Sequence, residues 1–147
     1  MTLLAILNND IKQAMREKDK ETLGVLRLMK AAIQNAGIES GRELTEEEEL
    51  AIVIKEAKQR RDSLKEFEAA GRDDLVEKGH HELSIVERYL PEQLSEEELT
   101  EMIEKTMKEA NITSMKEFGK LMGILMPKVK GKADGNQVNQ IVKSLLS

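Results

Sequence analysis

Three lysines near the end of the chain, Lys128, Lys130 and Lys132, surround Gly131 in a protein whose net charge is −5. Glycine lets a backbone approach a ligand closely, and each lysine adds a mobile positive charge. A helix predicted to begin near Asp134 would add free N–H groups and the positive end of its dipole. Asn136 and Asn139 add side-chain amides on that helix. These groups suit the binding of a phosphate or another anion.

The same stretch does not form a nucleotide-binding P-loop. That motif requires Gly-x-x-x-x-Gly-Lys-Ser/Thr after a strand. Here Ala133 follows Gly131-Lys132, and Met126 stands at the earlier glycine position. Asp134 can also occupy the helix N–H groups as a cap. The residues alone therefore leave two interpretations open, an anion site and a loop whose lysines only keep it soluble.

Metal and catalytic motifs are incomplete. Glu77-x-x-His80 is half of a di-iron pattern that needs a second copy, and no second histidine follows His81 at zinc-protease spacing. The acidic clusters 46–49 and 96–98 fall in first helical turns, where negative charge is favourable. We assign no catalytic residue, no metal ligand and no cofactor.

Arg61 interrupts the apolar stripe of a long predicted helix, next to Arg60. An arginine in such a position usually pairs with a nearby acid or extends to solvent. An anion site at this pair is the alternative.

The composition is that of an all-α protein. Charged residues make up 35% of the chain and aromatic residues 2%, so the core is expected to be aliphatic. The chain has no cysteine, which excludes disulfides, thiolate catalysis and cysteine-ligated zinc. The opening residues, MTLLAILNND, are too short for a signal peptide or a membrane span. We expect a soluble cytoplasmic protein that makes no contact with a membrane.

Charge is distributed unevenly along the chain. Six lysines stand against two acidic residues in 114–147, whereas the preceding 113 residues have a net charge of −9. Such asymmetry suggests that the two ends meet different partners.

Four helices are predicted in residues 1–91, which we expect to form an N-terminal domain. Thr2 can cap the first, and the second is predicted over 20–36, with Gly37 as its C-cap. It is apolar on two stripes, one of which contains Leu28, so we expect it to be central. A capping box, Thr45-x-x-Glu48, opens a long helix over 45–70. A fourth helix over 73–89 is predicted to pack antiparallel on it as a helical hairpin.

Three shorter helices are predicted in residues 92–147, which we expect to form a small C-terminal domain. Pro91 ends the preceding helix. The three segments are 95–110, 114–126 and 134–146. Their predicted N-terminal caps are Ser95-x-x-Glu98, Ser114-x-x-Glu117 and Asp134-x-x-Gln137.

Several stretches also resemble the YqeY family. They are RLMKAAIQNAGIE, EAKQRRDSLKEFEAAGRDDL, YLPEQLSEEEL and SMKEFGKLMGILMPKVKGKADGNQVNQIVKSLL. The C-terminal part resembles the tail domain of the B subunit of glutamine-dependent Asp/Glu-tRNA amidotransferase. The shared pattern is a helix with small residues (Gly119, Gly123), then KGKAD, then VNQIVKSLL. Gly135 stands where that tail commonly has proline.

This resemblance implies a helical tail domain that faces tRNA. It favours tRNA as the ligand of the lysine loop, and it carries over no catalytic residue. The nucleic-acid-binding residues it implies are Lys120, Lys128, Lys130, Gly131, Lys132, Asn136, Asn139 and Lys143.

The leading interpretation is a non-catalytic protein whose C-terminal domain binds tRNA or a tRNA-handling enzyme. A second interpretation is a protein–protein adaptor that uses the acidic N-terminal helices. A third is an enzyme component of amide transfer, in line with a family label of carbon–nitrogen ligase with glutamine as amido donor. Consumption of ATP or glutamine in the presence of charged tRNA would distinguish the third from the others.

We predict that residues 1–91 and 92–147 fold separately, because Pro91 and the cap at Ser95 separate two sets of helices. Limited proteolysis should cut first near Gln93, or in the loops 39–44 and 71–72. A fragment of residues 92–147 should show helical circular dichroism and dispersed amide resonances. A wholly unfolded fragment would contradict this.

Overall fold

A computed structural model describes residues 2–147 and contains seven α-helices and one short 3-10 turn, with no strand in this part of the chain. The all-α prediction is confirmed. Backbone contacts divide the chain into two compact units, one ending at Leu90 and the other spanning Pro91–Ser147. We call them the N-terminal unit and the C-terminal unit. That each folds independently stays a prediction.

The N-terminal unit has four helices: α1 (Leu3–Glu17), α2 (Lys20–Ser40), α3 (Glu46–Ala69) and α4 (Asp73–Glu87). As expected, α2 is central, since it packs against the other three. The long α3 and α4 form the helical hairpin. Gly79 allows their close approach, because a Cβ atom there would lie 2.7 Å from Cδ2 of Leu64.

The C-terminal unit has three helices that pack pairwise: α5 (Glu96–Ala110), α6 (Phe118–Val129) and α7 (Gly135–Leu146). Each unit has its own cluster of buried side chains. Both clusters are aliphatic apart from one methionine, Met29, as the composition predicts. The partly buried Phe118 packs on the edge of the C-terminal cluster.

Local capping signals fix three helix starts as predicted. The Thr2 hydroxyl accepts a hydrogen bond from the Ala5 N–H at 3.1 Å. The capping boxes at Thr45 and Ser95 are both complete, since side chain and backbone bond reciprocally in each.

The predicted end of α2 is wrong. Gly37 lies inside the helix, which continues to Ser40, and Gly41 is the residue that adopts the left-handed conformation, with φ 69°. The Ser40 hydroxyl donates to the Gly37 carbonyl and supports this extra turn. The connecting loop is therefore 41–45. The prediction that both apolar stripes of α2 are buried is also partly wrong, because Leu28 in the second stripe is 61% exposed.

The helix predicted over 114–126 begins and ends at different residues in the structure. Ser114 makes no side-chain cap, residues Met115–Glu117 form a 3-10 turn, and α6 begins at Phe118. The helix also passes through Pro127 and ends at Val129. Val129 is buried in the core, which anchors this last turn despite the missing proline N–H.

The capping box at Thr45 makes the stability of the fold depend on pH through the carboxylate of Glu48. Glu48 accepts hydrogen bonds from Arg42, at 2.7 and 3.0 Å, and from the Thr45 N–H. The Arg42 contacts, followed by the Thr45 bonds, lower the pKa of Glu48 from 4.5 to about 2. Because this pKa is depressed on folding, the stabilisation is present above about pH 4.5 and is lost as pH falls toward 2.

We predict that Glu48→Gln lowers the free energy of unfolding at pH 7, and that its difference from the parent narrows below pH 4.5. Urea denaturation between pH 7 and pH 2.5 measures this. Glu47 is an exposed residue in the same helical turn, and Glu47→Gln should lower the free energy of unfolding less than Glu48→Gln does. Thr45→Ala should cost about 0.5–2 kcal/mol across the range. A Glu48→Gln deficit that does not depend on pH would contradict the assignment.

Candidate functional site

The lysine loop, residues 128–134, turns the chain from α6 into α7. Gly131 has a φ of 76°, a left-handed conformation that glycine adopts without strain. The N–H groups of Lys132 and Ala133 both donate to the Val129 carbonyl, at 2.8 and 3.1 Å. The turn is thus closed by backbone bonds at the end of α6.

Two residues of the segment before α5 brace this loop. The Gln93 side-chain amide donates to the carbonyls of Pro91 and Gly131, at 2.8 and 2.6 Å. The Leu94 N–H donates to the Lys132 carbonyl at 2.8 Å. Sequence reasoning missed both roles, because no local pattern connects Gln93 with a carbonyl 38 positions away. The brace turns the carbonyls of Gly131 and Lys132 toward the protein.

Exposure alternates along the loop. Lys128, Lys130 and Lys132 are exposed, whereas Val129 and Gly131 between them are buried. None of the three lysines pairs with an acidic side chain of the C-terminal unit. The fold therefore presents three unneutralised positive charges on one short, braced segment.

The start of α7 offers less to an anion than its sequence suggests. The Asp134 carboxylate caps the helix and accepts a hydrogen bond from the Asn136 N–H at 3.1 Å. The Asn136 side chain is exposed. Asn139 is half-buried, and its Oδ1 atom is buried with no hydrogen-bond partner in the described part of the chain. Asn136 is the more accessible of the two amides.

The remaining predicted residues lie on the exposed faces of two helices. Lys143 is exposed on α7 and lies seven residues after Asn136, which places both on one helical face. Lys120 is exposed on α6, between Gly119 and Gly123. A Cβ atom at either glycine would meet nothing within 4 Å, so the backbone of this face is open.

Other titratable groups have structural explanations. His80 lies 3.7 Å from Glu68 and His81 lies 3.6 Å from Glu21, all at the surface. Within residues 2–147, no three His, Asp or Glu side chains converge in a geometry that could hold a metal ion.

Of the two adjacent arginines Arg60 and Arg61, Arg60 forms an ion pair within its own helix. Its guanidinium contacts the Glu56 carboxylate at 2.8 Å with both side chains mostly buried. This ion pair accounts for Arg60, although its Nε atom has no partner in the described residues. Arg61, the residue that stands in the apolar stripe, is half-buried.

A second feature that sequence reasoning missed joins α1 to the end of α4. The Tyr89 hydroxyl donates a short hydrogen bond to the Asp10 carboxylate. Burial, and then this bond, raise the pKa of Tyr89 above its usual range. The pair lies beside a groove of about 670 Å³ whose other polar residues include Gln13, Asp19 and Arg88. This bond ties α1 to the residues that follow α4.

Comparison with known proteins decides the family. A family model described as "Yqey-like protein" matches residues 5–146. The chain belongs to the YqeY family. The resemblance to the YqeY family seen in the sequence is therefore confirmed over residues 5–146.

Curated relatives of this YqeY protein share the name "Altered inheritance of mitochondria protein 41, mitochondrial". The protein from Pyrenophora tritici-repentis is 30% identical over 147 residues, covering 98% of this chain and 81% of the relative. The protein from Saccharomyces cerevisiae strain YJM789 is 36% identical over 88 residues, covering 59% of this chain and 48% of the relative. The protein from Candida glabrata is 35% identical over 92 residues, covering 61% and 50%. The two yeast alignments thus span about half of those proteins.

These names correct one expectation. The prediction of a cytoplasmic location is wrong by this comparison, because the relatives at 30–36% identity are named as mitochondrial proteins. The composition of the chain could not reveal this. Separately, no helix within residues 2–147 is both long enough and apolar enough to span a bilayer.

The Gln93 brace yields a prediction about the loop. Gln93→Ala removes two hydrogen bonds, each worth about 0.5–1.5 kcal/mol net. Hydrogen exchange at the amides of Leu94, Lys132 and Ala133 should become about 2–10-fold faster. Gln140→Ala, an exposed glutamine on α7, is the matched control and should leave exchange unchanged. Equal exchange in both variants would show that Gln93 does not hold the loop.

Proposed function

We propose that the C-terminal unit is a non-catalytic RNA-contacting module that binds the phosphates of a folded RNA of the tRNA class. The observation that carries the proposal is the lysine loop itself. Its three lysines are exposed on a braced turn and have no acidic partner in the unit. A surface that keeps three positive charges close together without neutralising them is suited to a polyanion.

The chemistry of these groups favours phosphate contacts over base recognition. Lysine is a flexible point charge that positions a nucleic acid without reading its sequence. Recognition of unpaired bases usually requires aromatic stacking platforms. The C-terminal unit has one aromatic residue, Phe118, and it is half-buried. Binding should therefore be weak and nearly independent of RNA sequence.

The choice of tRNA rests on the resemblance of residues 114–147 to the tail domain of the tRNA amidotransferase B subunit. The net charge of −9 in the first 113 residues repels RNA and favours contact through this end of the chain. The names of the fungal relatives support a mitochondrial setting for the activity.

We predict that replacing Lys128, Lys130 and Lys132 together by alanine abolishes most tRNA binding. With about three phosphate contacts, the parent should show a slope of about −2 to −3 in log affinity against log salt. The triple variant should bring this slope toward zero without changing helix content or melting temperature, since exposed loop lysines contribute little to stability. Fluorescence anisotropy with labelled tRNA, between about 20 and 200 mM salt, measures the affinity and its salt slope. Circular dichroism measures the helix content and the melting temperature.

A matched triple variant separates local contacts from net charge. Lys12, Lys55 and Lys65 are exposed lysines of the N-terminal unit, and replacing them changes the net charge equally. This variant should retain the parent salt slope. Single substitutions of Lys120, Lys143 and Asn136 then map how far the contact extends along α6 and α7. Absence of tRNA affinity in the parent at low salt, or equal loss in both triple variants, would reject the proposal.

A further inference from the structure

A groove of about 760 Å³ lies in the N-terminal unit, between the start of α1, the last turns of α2 and the segment before α3. Its apolar side chains are Leu4, Ile33, Ile38 and Leu44. Ile38 is 78% exposed, the largest exposure among the large hydrophobic residues of the described chain. An isoleucine this exposed at the rim of an apolar groove is the kind of feature that marks a binding surface.

A buried acid lines the same groove. Glu49 is only 8% exposed, and no basic side chain within residues 2–147 forms an ion pair with it. Burial raises the pKa of its carboxyl group, partly offset by a hydrogen bond from the Leu4 backbone. A buried carboxylate that has no counter-charge among the described residues is costly, so a cation brought to it by a ligand would be favourable.

The surrounding charges also favour a cationic ligand. Arg42 is the basic residue that lines the groove, and both of its terminal nitrogens already contact the Glu48 carboxylate. Glu43 lines the groove as well and is exposed. Glu46, in the first turn of α3, lies close enough to act electrostatically on Glu49. The groove is thus apolar on its walls and negative around its floor and rim.

We propose that this groove is a docking site for a segment of a partner protein that carries a lysine or arginine beside branched aliphatic residues. The aliphatic side chains would cover Ile38 and Ile33, and the cation would approach Glu49. Acidic surroundings exclude RNA from this site, so the inference does not depend on the RNA-binding proposal. The volume falls within the range of about 300–1,000 Å³ that holds a drug-sized ligand, which is room for a few side chains of a partner segment.

Peptides that differ in one side chain test the charge requirement on the unmodified protein. The probes are acetylated, amidated Ser-Leu-Ile-Arg-Leu-Ser and the same peptide with glutamine or glutamate in place of arginine. Titration into the isotope-labelled protein, followed by amide chemical shifts, should move resonances of residues 33–44. The arginine peptide should bind at least fivefold more tightly than the glutamine peptide, and the glutamate peptide should bind most weakly.

Variants locate the contact. Glu49→Gln should remove the preference for arginine while binding of the glutamine peptide persists. Ile38→Ser should weaken both peptides at least fivefold. Leu28→Ser is the matched control, because Leu28 is an exposed apolar residue of the same helix that does not line the groove. It should change neither affinity.

Several outcomes would overturn the inference. One is the absence of shifts in residues 33–44 at millimolar arginine peptide; another is equal affinity for the arginine and glutamine peptides. Concentration-dependent dimerisation of the parent that Ile38→Ser abolishes would assign the groove to a second copy of the chain instead. If Glu49→Gln fails to fold, the peptide comparison on the parent and the Ile38→Ser and Leu28→Ser pair still decide the question.

Discussion

Unpaired backbone groups at helix ends are the constraint on which this structure depends. Every α-helix leaves four N–H groups and four carbonyls without internal partners, and the seven helices of residues 2–147 multiply that problem. Side chains cap the N-termini of five of them, from Thr2, Asp19, Thr45, Ser95 and Asp134. Left-handed residues turn the chain at or just beyond the ends of five, at Lys18, Gly41, Gly71, Asn111 and Gly131. With no disulfide and almost no aromatic core, these local bonds define most of the helix boundaries.

The same constraint shapes the lysine loop. The end of α6 leaves carbonyls that need donors, and the turn at Gly131 leaves two more. The Lys132 and Ala133 N–H groups bond the Val129 carbonyl at the end of α6, and Gln93 and Leu94 supply donors to the Gly131 and Lys132 carbonyls from the start of the C-terminal unit. In doing so they hold Val129 and Gly131 inward and leave the three lysines outward. A structural requirement of the backbone therefore also determines how the charge is presented.

The two units offer surfaces of opposite chemistry. The lysine loop of the C-terminal unit is basic and lacks aromatic side chains, which suits contacts with phosphate. The groove of the N-terminal unit is apolar and contains the buried Glu49, which suits a basic protein segment. Because the first 113 residues carry the net negative charge, a polyanion and a basic peptide would not compete for the same surface. Such a division fits a protein that brings two kinds of partner together.

The sequence by itself determined the all-α class, the number of helices, the complete caps at Thr45 and Ser95, and the family. These follow from bonds and periodicities within a few residues, which a single stretch of sequence contains. It placed the end of α2 at Gly37 and a cap at Ser114, and both were wrong. The helix continues to Ser40, whose hydroxyl bonds to the Gly37 carbonyl, and the Ser114 side chain makes no cap bond. The brace at Gln93, the inward side of Asn139 and the groove around Glu49 were decided only by the tertiary structure. Each depends on groups that are distant in sequence and become neighbours only when apolar helix faces are buried together.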